Sequence, residues 1–200
     1  VTNIKNALPS NIPLIGFCGS PWTLAAYSLE GRSSKNFDKT IAFINNNEKE
    51  AHLFLSKLTD ACFLYLRKQV QAGIDVIQIF DSWANILNAD EINNFSFNYI
   101  KSLIVALKQD PVTSNTPIIL FARDPKCNAN TLIKTSADCI SLYWSANNFD
   151  LKYARDKVAL QGNLDPKILL QSNEIIRSET KAILDKFKNF PGYIFNLGHG

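Results

Sequence analysis

Short apolar runs alternate along the chain with longer stretches whose apolar residues recur every three or four positions. The runs occupy residues 13–17, 74–80, 118–122, 139–144, 158–161 and 193–197. Each has strand length and little polar interruption, as expected for a strand covered on both faces. Helices are predicted between them. Ser20 and Pro21 read as cap and first position of a helix that starts directly after the first run, followed by a polar, turn-rich loop over 31–36. Residues 37–44 form a short helix stopped by Asn45, Asn46 and Asn47. Residues 48–72 form a long one, with Leu55, Leu58, Cys62, Tyr65 and Leu66 on one face, acids at its start and Gly73 as its stop. Asn88 or Asp90 caps the next, which runs to about Gln109 with Phe95, Tyr99, Leu103 and Leu107 at fourfold spacing. Shorter helices are predicted near 131–136 and over 149–157, and a longer one over 174–187.

Such strict alternation, with no hairpin signal between the runs, implies parallel strands and an α/β fold. At roughly 30 to 35 residues per unit, eight units would fill the ~250 residues of a (β/α)8 barrel. Six are present. An open doubly wound sheet is the competitor, but the Gly-Ser-Pro turn after the first run lacks the G-x-G-x-x-G fingerprint and no P-loop occurs. The expected architecture is therefore a TIM (β/α)8 barrel with about six of its eight βα units, residues 1–200 forming one domain incomplete at both ends. The chain has no methionine and closes on Gly200. It is read as an internal piece of a longer protein.

Composition narrows the partners. A formal charge of +3, with no basic run interleaved with aromatics, argues against nucleic acid. Cys18, Cys62, Cys127 and Cys139 are scattered without a C-x-x-C pair, and only His52 and His199 could assist them, so neither a zinc site nor a disulfide framework is signalled. Without a signal-peptide pattern or an apolar stretch of about 18 residues, no membrane is expected as a partner and a cytoplasmic location is the expectation.

In a barrel, reactive groups gather at the carboxyl ends of the strands. The candidates there are Phe17, Gly19, Ser82, Arg123, Asn163, Asp165 and His199. Strand alternation puts Gln78, Phe80 and Ser82 on one face and Ile77, Ile79 and Asp81 on the other, so if Phe80 faces a pocket Ser82 does too and Asp81 is a structural carboxylate. The first amides of the helix opening at Ser20 are predicted to favour an anion beside the first strand tip, forming a pocket wall. Tyr27, two turns along, offers a phenol over an apolar surface, or is a core tyrosine with a satisfied hydroxyl. Arg123 suits a carboxylate, or a salt bridge to Asp124 or another neighbour. Asp165 before Pro166 reads as a helix cap. His199, between two glycines, bonds a polar ligand group or the backbone. His52 is solvent-facing or structural. No serine-histidine-aspartate arrangement can be argued.

Five stretches, GFCGSPWTLAAYSLEG at 16–31, QIFDSW at 78–83, ILFAR at 119–123, LQGNLDP at 160–166 and FNLGHG at 195–200, resemble the uroporphyrinogen decarboxylase family in its order. The resemblance implies a (β/α)8 barrel that acts as a homodimer. It implies a lyase that removes the four acetate carboxyl groups of uroporphyrinogen III to give coproporphyrinogen III in haem biosynthesis, with no cofactor and no metal. By motif, Tyr27, Ser82 and His199 are expected to hydrogen-bond the substrate, and Phe17, Gly19 and Phe80 to line its pocket. Protonation of a pyrrole ring would supply the electron sink for departing CO2. The family aspartate that contacts the pyrrole N–H groups, and its arginine-rich segment, lie upstream of these motifs, so no catalytic residue is assigned and the chain alone is expected to be inactive. CISLYW at 139–144 carries Tyr143 where family members commonly have aspartate, and the loop at 125–130 matches poorly. Two other readings stay open: a related barrel that transfers methyl groups from a corrinoid or folate through zinc, and a truncated, non-catalytic remnant that only binds porphyrinogen.

Overall fold

The apolar runs assemble in chain order into one parallel sheet of six strands: β1 (Ile15–Gly19), β2 (Val76–Asp81), β3 (Ile118–Ala122), β4 (Cys139–Ser141), β5 (Ala159–Gln161) and β6 (Tyr193–Ile194). The structure, a computed structural model, describes residues 1–32, 34, 36–123, 129–146 and 150–199, with 129 and 130 by backbone alone. The register puts Cys18, Ile79, Leu120, Ile140 and Leu160 in one row. All five are buried in the main core beneath the helices. One position along, Gly19, Phe80, Phe121, Ser141 and Gln161 form a row on the opposite, concave face.

The helices are α1 (Thr2–Ala7), α2 (Pro21–Glu30), α3 (Asp38–Asn46), α4 (Glu48–Gln71), α5 (Ala89–Glu91), α6 (Asn98–Gln109), α7 (Ala129–Ile133), α8 (Leu151–Ala154) and α9 (Asn173–Phe187), with a π-helical turn, Ile92–Phe97, joining α5 to α6. Sequence caps form as expected. The Ser20 hydroxyl accepts from the Thr23 amide at 3.0 Å, Asn88 and Glu91 make a reciprocal capping box, and the Asp165 carboxylate accepts from the Lys167 amide at 2.9 Å. On α4, Leu55, Cys62, Leu66 and Gln69 are buried. Tyr65 is not: at 56% exposure it lies about 100° round the helix from Leu66 and faces outward.

Several boundaries differ from the expectation. The first strand spans Ile15–Gly19 and not 13–17, because pairing runs on to the tip, where Gly19 meets Phe80, whereas Pro13 has no N–H to give. The run at 139–144 pairs only over Cys139–Ser141, and Trp144 already lies in a turn. The last run pairs over Tyr193–Ile194 and then through a single bridge from Leu197 to Leu164. The helix expected near 131–136 is Ala129–Ile133 and ends before Ser136, whose φ is +69°. The helix expected over 149–157 is Leu151–Ala154, capped by Asp150; residue 149 lies outside the described residues, as do 33 and 35 of the predicted loop. α1 escaped the pattern because it buries no residue.

Two polar side chains secure the start of the sheet. Gln69 of α4 donates to the Phe17 carbonyl at 2.9 Å and accepts from the Phe17 amide at 3.2 Å, satisfying backbone that β2 does not reach. Gly16 permits this, since a Cβ there would lie 2.5 Å from the Gln69 Oε1. Asp75 accepts from the Leu14 amide at 2.7 Å and from Lys5 Nζ at 2.5 Å. These two bonds hold its carboxyl below the usual carboxylate range. A depressed carboxyl contributes stability above its unfolded pKa and loses that contribution as pH falls through the folded value. Asp75→Asn is therefore expected to lower the denaturation midpoint at neutral pH, and the gap from the parent chain should shrink as the solution is acidified below about pH 4.

Candidate active site at the strand tips

The concave face of the sheet deepens at its carboxyl end into a cavity of about 340 Å³ lined by Gln78, Phe80, Ser82, Phe121, Ser141, Asn196, Leu197 and His199. β2 supplies Gln78 and Phe80 from alternate positions, and Ser82 follows directly after its last residue. The intervening Asp81 turns away and is wholly buried behind the sheet. There it accepts from the hydroxyls of Ser20 at 2.8 Å, Thr23 at 3.2 Å and Ser96 at 2.5 Å. The carboxylate beside the start of α2 is thus the protein's own. Ser20, Pro21, Trp22 and Thr23 are buried, so the start of α2 does not present its amides as a pocket wall.

His199 reaches the cavity because the tails of β5 and β6 stay paired beyond the strands. The Leu164 amide donates to the Asn196 carbonyl at 3.1 Å and the Gly198 amide to the Leu164 carbonyl at 2.8 Å. Asn163 is spent on this scaffold, its amide donating to the carbonyls of Tyr143 and Trp144. The Tyr193 hydroxyl donates to the Gly162 carbonyl, and burial pushes that phenol up to about 12. The imidazole of His199 then stands edge-on to Phe121 and Tyr143, each with ring centres 6.0 Å away.

Of the residues predicted from sequence, Phe80, Ser82 and His199 line one cavity. Phe17 stands beside them on the edge strand, 62% exposed and edge-on to Phe80 at 5.9 Å. Tyr27 lies outside the lining, its ring edge-on to Trp83 at 6.0 Å and to Phe37 at 6.1 Å. It is half-exposed and not a core tyrosine. Gly19 adjoins the α2 side chains: a Cβ there would lie 3.1 Å from Leu24. Arg123 continues the concave face beyond Phe121 and places its guanidinium over Trp83 and Tyr143; Asp124, its proposed ion-pair partner, is outside the described residues. His52 is structural, stacked on Phe95 and bonded to the Tyr99 hydroxyl at 2.7 Å. Sequence reasoning passed over Phe121, Ser141, Asn196 and Leu197. The spacing Ile119, Phe121, Arg123 contained the signal for the first of them.

Of the described cysteines, Cys18 has its thiol pKa lowered by the hydrogen bond it shares with Cys62, and both are buried. Burial and the charge of Asp138 push Cys139 up to about 12. Cys62 is raised by its hydrogen bond to Cys18 and by burial. Among the described residues, no group of three His, Cys, Asp or Glu side chains is placed to hold a metal ion.

The uroporphyrinogen decarboxylase family model matches residues 1–200. The chain belongs to the uroporphyrinogen decarboxylase family. Across its whole length it is 42% identical to the uroporphyrinogen decarboxylase of Alcanivorax borkumensis and 41% identical to those of Hydrogenovibrio crunogenus and Pseudomonas fluorescens, spanning 57% of each of those proteins. Among solved structures, a methyltransferase from Methanosarcina mazei superposes with a TM-score of 0.75 at 17% identity, over 99% of this chain and 56% of that one. That likeness concerns the fold alone. The six βα units are a part of a TIM-type barrel. No helix among the described residues is long and apolar enough to cross a membrane.

Proposed function

We propose that this chain carries the substrate pocket of a uroporphyrinogen decarboxylase, which removes the four acetate carboxyl groups of uroporphyrinogen III without a cofactor. The observation that carries the reading is the cavity at the strand tips, where Phe80, Ser82 and His199 meet. The apolar rings of Phe17 and Phe80 suit the face of a pyrrole macrocycle. The hydroxyl of Ser82 and the imidazole of His199 suit its polar substituents, with the phenol of Tyr27 reaching from beyond Trp83 and Gly19 keeping the rim low. The chemistry asks little more of these groups than binding and orientation. A pyrrole protonated at carbon becomes a cation, the carbon–carboxyl bond breaks, CO2 leaves with its oxygens, and the bonding electrons neutralise the ring. A proton then adds to the vacated CH2 carbon to make a methyl group, and the proton first placed on the ring carbon is released, which restores the aromatic pyrrole. The homodimer and cytoplasmic setting implied by the family belong to the same proposal, as does the treatment of residues 1–200 as one domain.

Uroporphyrinogen III supplied anaerobically to the 200-residue polypeptide is expected to bind and to remain undecarboxylated, because the carboxylate assigned to the pyrrole N–H groups is not among its motifs. Chromatography of the oxidised products checks this. Rapid formation of coproporphyrin would show that the residues present suffice for the reaction. Failure of Ser82→Ala and His199→Asn to weaken binding would remove the assigned roles.

A further inference from the structure

Arg123 stands at the tip of β3 with its guanidinium carbon 5.6 Å from the centre of the Trp83 ring and 5.9 Å from that of Tyr143. Alternation puts it on the same face as Phe121, which lines the cavity, while Ala122 between them is buried under the helices. Its backbone is held too, since the Arg123 amide donates to the Asp81 carbonyl at 3.0 Å. Tyr143 in turn meets the His199 ring, so the guanidinium is one aromatic ring away from the imidazole of the pocket.

Two aromatic faces hold a guanidinium differently from a salt bridge. They attract its plane and leave its N–H edge available for a planar anion. Among the described residues no carboxylate pairs with Arg123, and Asp81, the buried acid of the neighbouring strand, faces the helices. A half-buried cation with no carboxylate against it among the described residues is stabilised when an anion arrives.

Resting on the pocket reading above, we propose that Arg123, clamped between Trp83 and Tyr143, is a specificity-determining residue that receives one carboxylate of the substrate at the rim of the cavity. Lysine would keep the charge at this position but lose the two-pronged contact with a carboxylate.

The test uses uroporphyrin, the oxidised octacarboxylic macrocycle, as a fluorescent probe of binding to the polypeptide and to Arg123→Gln and Arg123→Lys. Arg123→Gln is expected to weaken binding about tenfold at low salt and to flatten its dependence on ionic strength. Arg123→Lys should lie between it and the parent chain. Circular dichroism confirms that each variant is folded; if Arg123→Gln is not, the Arg123→Lys value and the salt dependence of the parent chain decide. Equal affinity and equal salt dependence in the parent chain and the arginine variants would overturn the assignment and leave the pocket reading standing. A parent chain that does not bind uroporphyrin would overturn both.

Discussion

Replacing Asp81 with alanine is expected to destabilise the chain by about 3 kcal/mol or more, because it strips the acceptor from several buried hydroxyls at once, each worth about 1–3 kcal/mol when left unsatisfied. Ser20 and Thr23 belong to the start of α2, and Ser96 to the π-helical turn before α6. Their common acceptor is the carboxylate at the tip of β2, so its loss unties two helices from one strand. Asp81→Asn keeps one acceptor oxygen for Ser20 and Thr23 and lets the Ser96 hydroxyl turn to accept from the amide. Its cost should be nearer ~1 kcal/mol. Urea denaturation of the parent chain and both variants separates these outcomes. If alanine and asparagine proved equally mild, the carboxylate would not be the tie that the geometry describes. The alanine substitution should also weaken ligand binding, since the position of Tyr27 on α2 relative to Ser82, just past the end of β2, is set through this cluster.

Gly198→Ala should cost about 1–3 kcal/mol, the usual range for forcing extra atoms into a closely packed place. It should also reduce ligand binding more than a stability loss of that size explains. A Cβ on Gly198 would lie 2.3 Å from the Trp144 amide nitrogen and 2.5 Å from its Cα. Both are backbone atoms, so the obstruction cannot be relieved by rotating a side chain. The tail of β6 has to move instead, and His199 is the next residue. Thermal melting measures the first effect, and porphyrin binding at a temperature where the variant remains folded measures the second. A variant that melts early yet binds with parental affinity would show that the imidazole tolerates displacement.

These two positions also mark the boundary between local and tertiary information. That Asp81 turns away from Phe80 and Ser82 was legible in the sequence, because residues of a strand alternate between faces whatever surrounds them. What Asp81 turns toward was not. Its partners come from residues 61 positions upstream and 15 downstream, and no local rule pairs a strand tip with a particular helix start. The amides at Ser20 looked like an anion site from their spacing, and a distant aspartate proved to be the anion.

The apolar runs, their parallel order and the caps at Ser20, Asn88 and Asp165 follow from the sequence alone, since strand periodicity, turn chemistry and end-capping act between residues a few positions apart. So does the membership of Phe80 and Ser82 in one face. The tertiary structure decided that Phe121, Ser141 and Asn196 complete that face, that Tyr27 stands beyond the cavity against Trp83, and that Arg123 rests between two rings. Those arrangements depend on how neighbouring strands are aligned and how their tips bend, and such alignment arises from contacts among residues tens of positions apart.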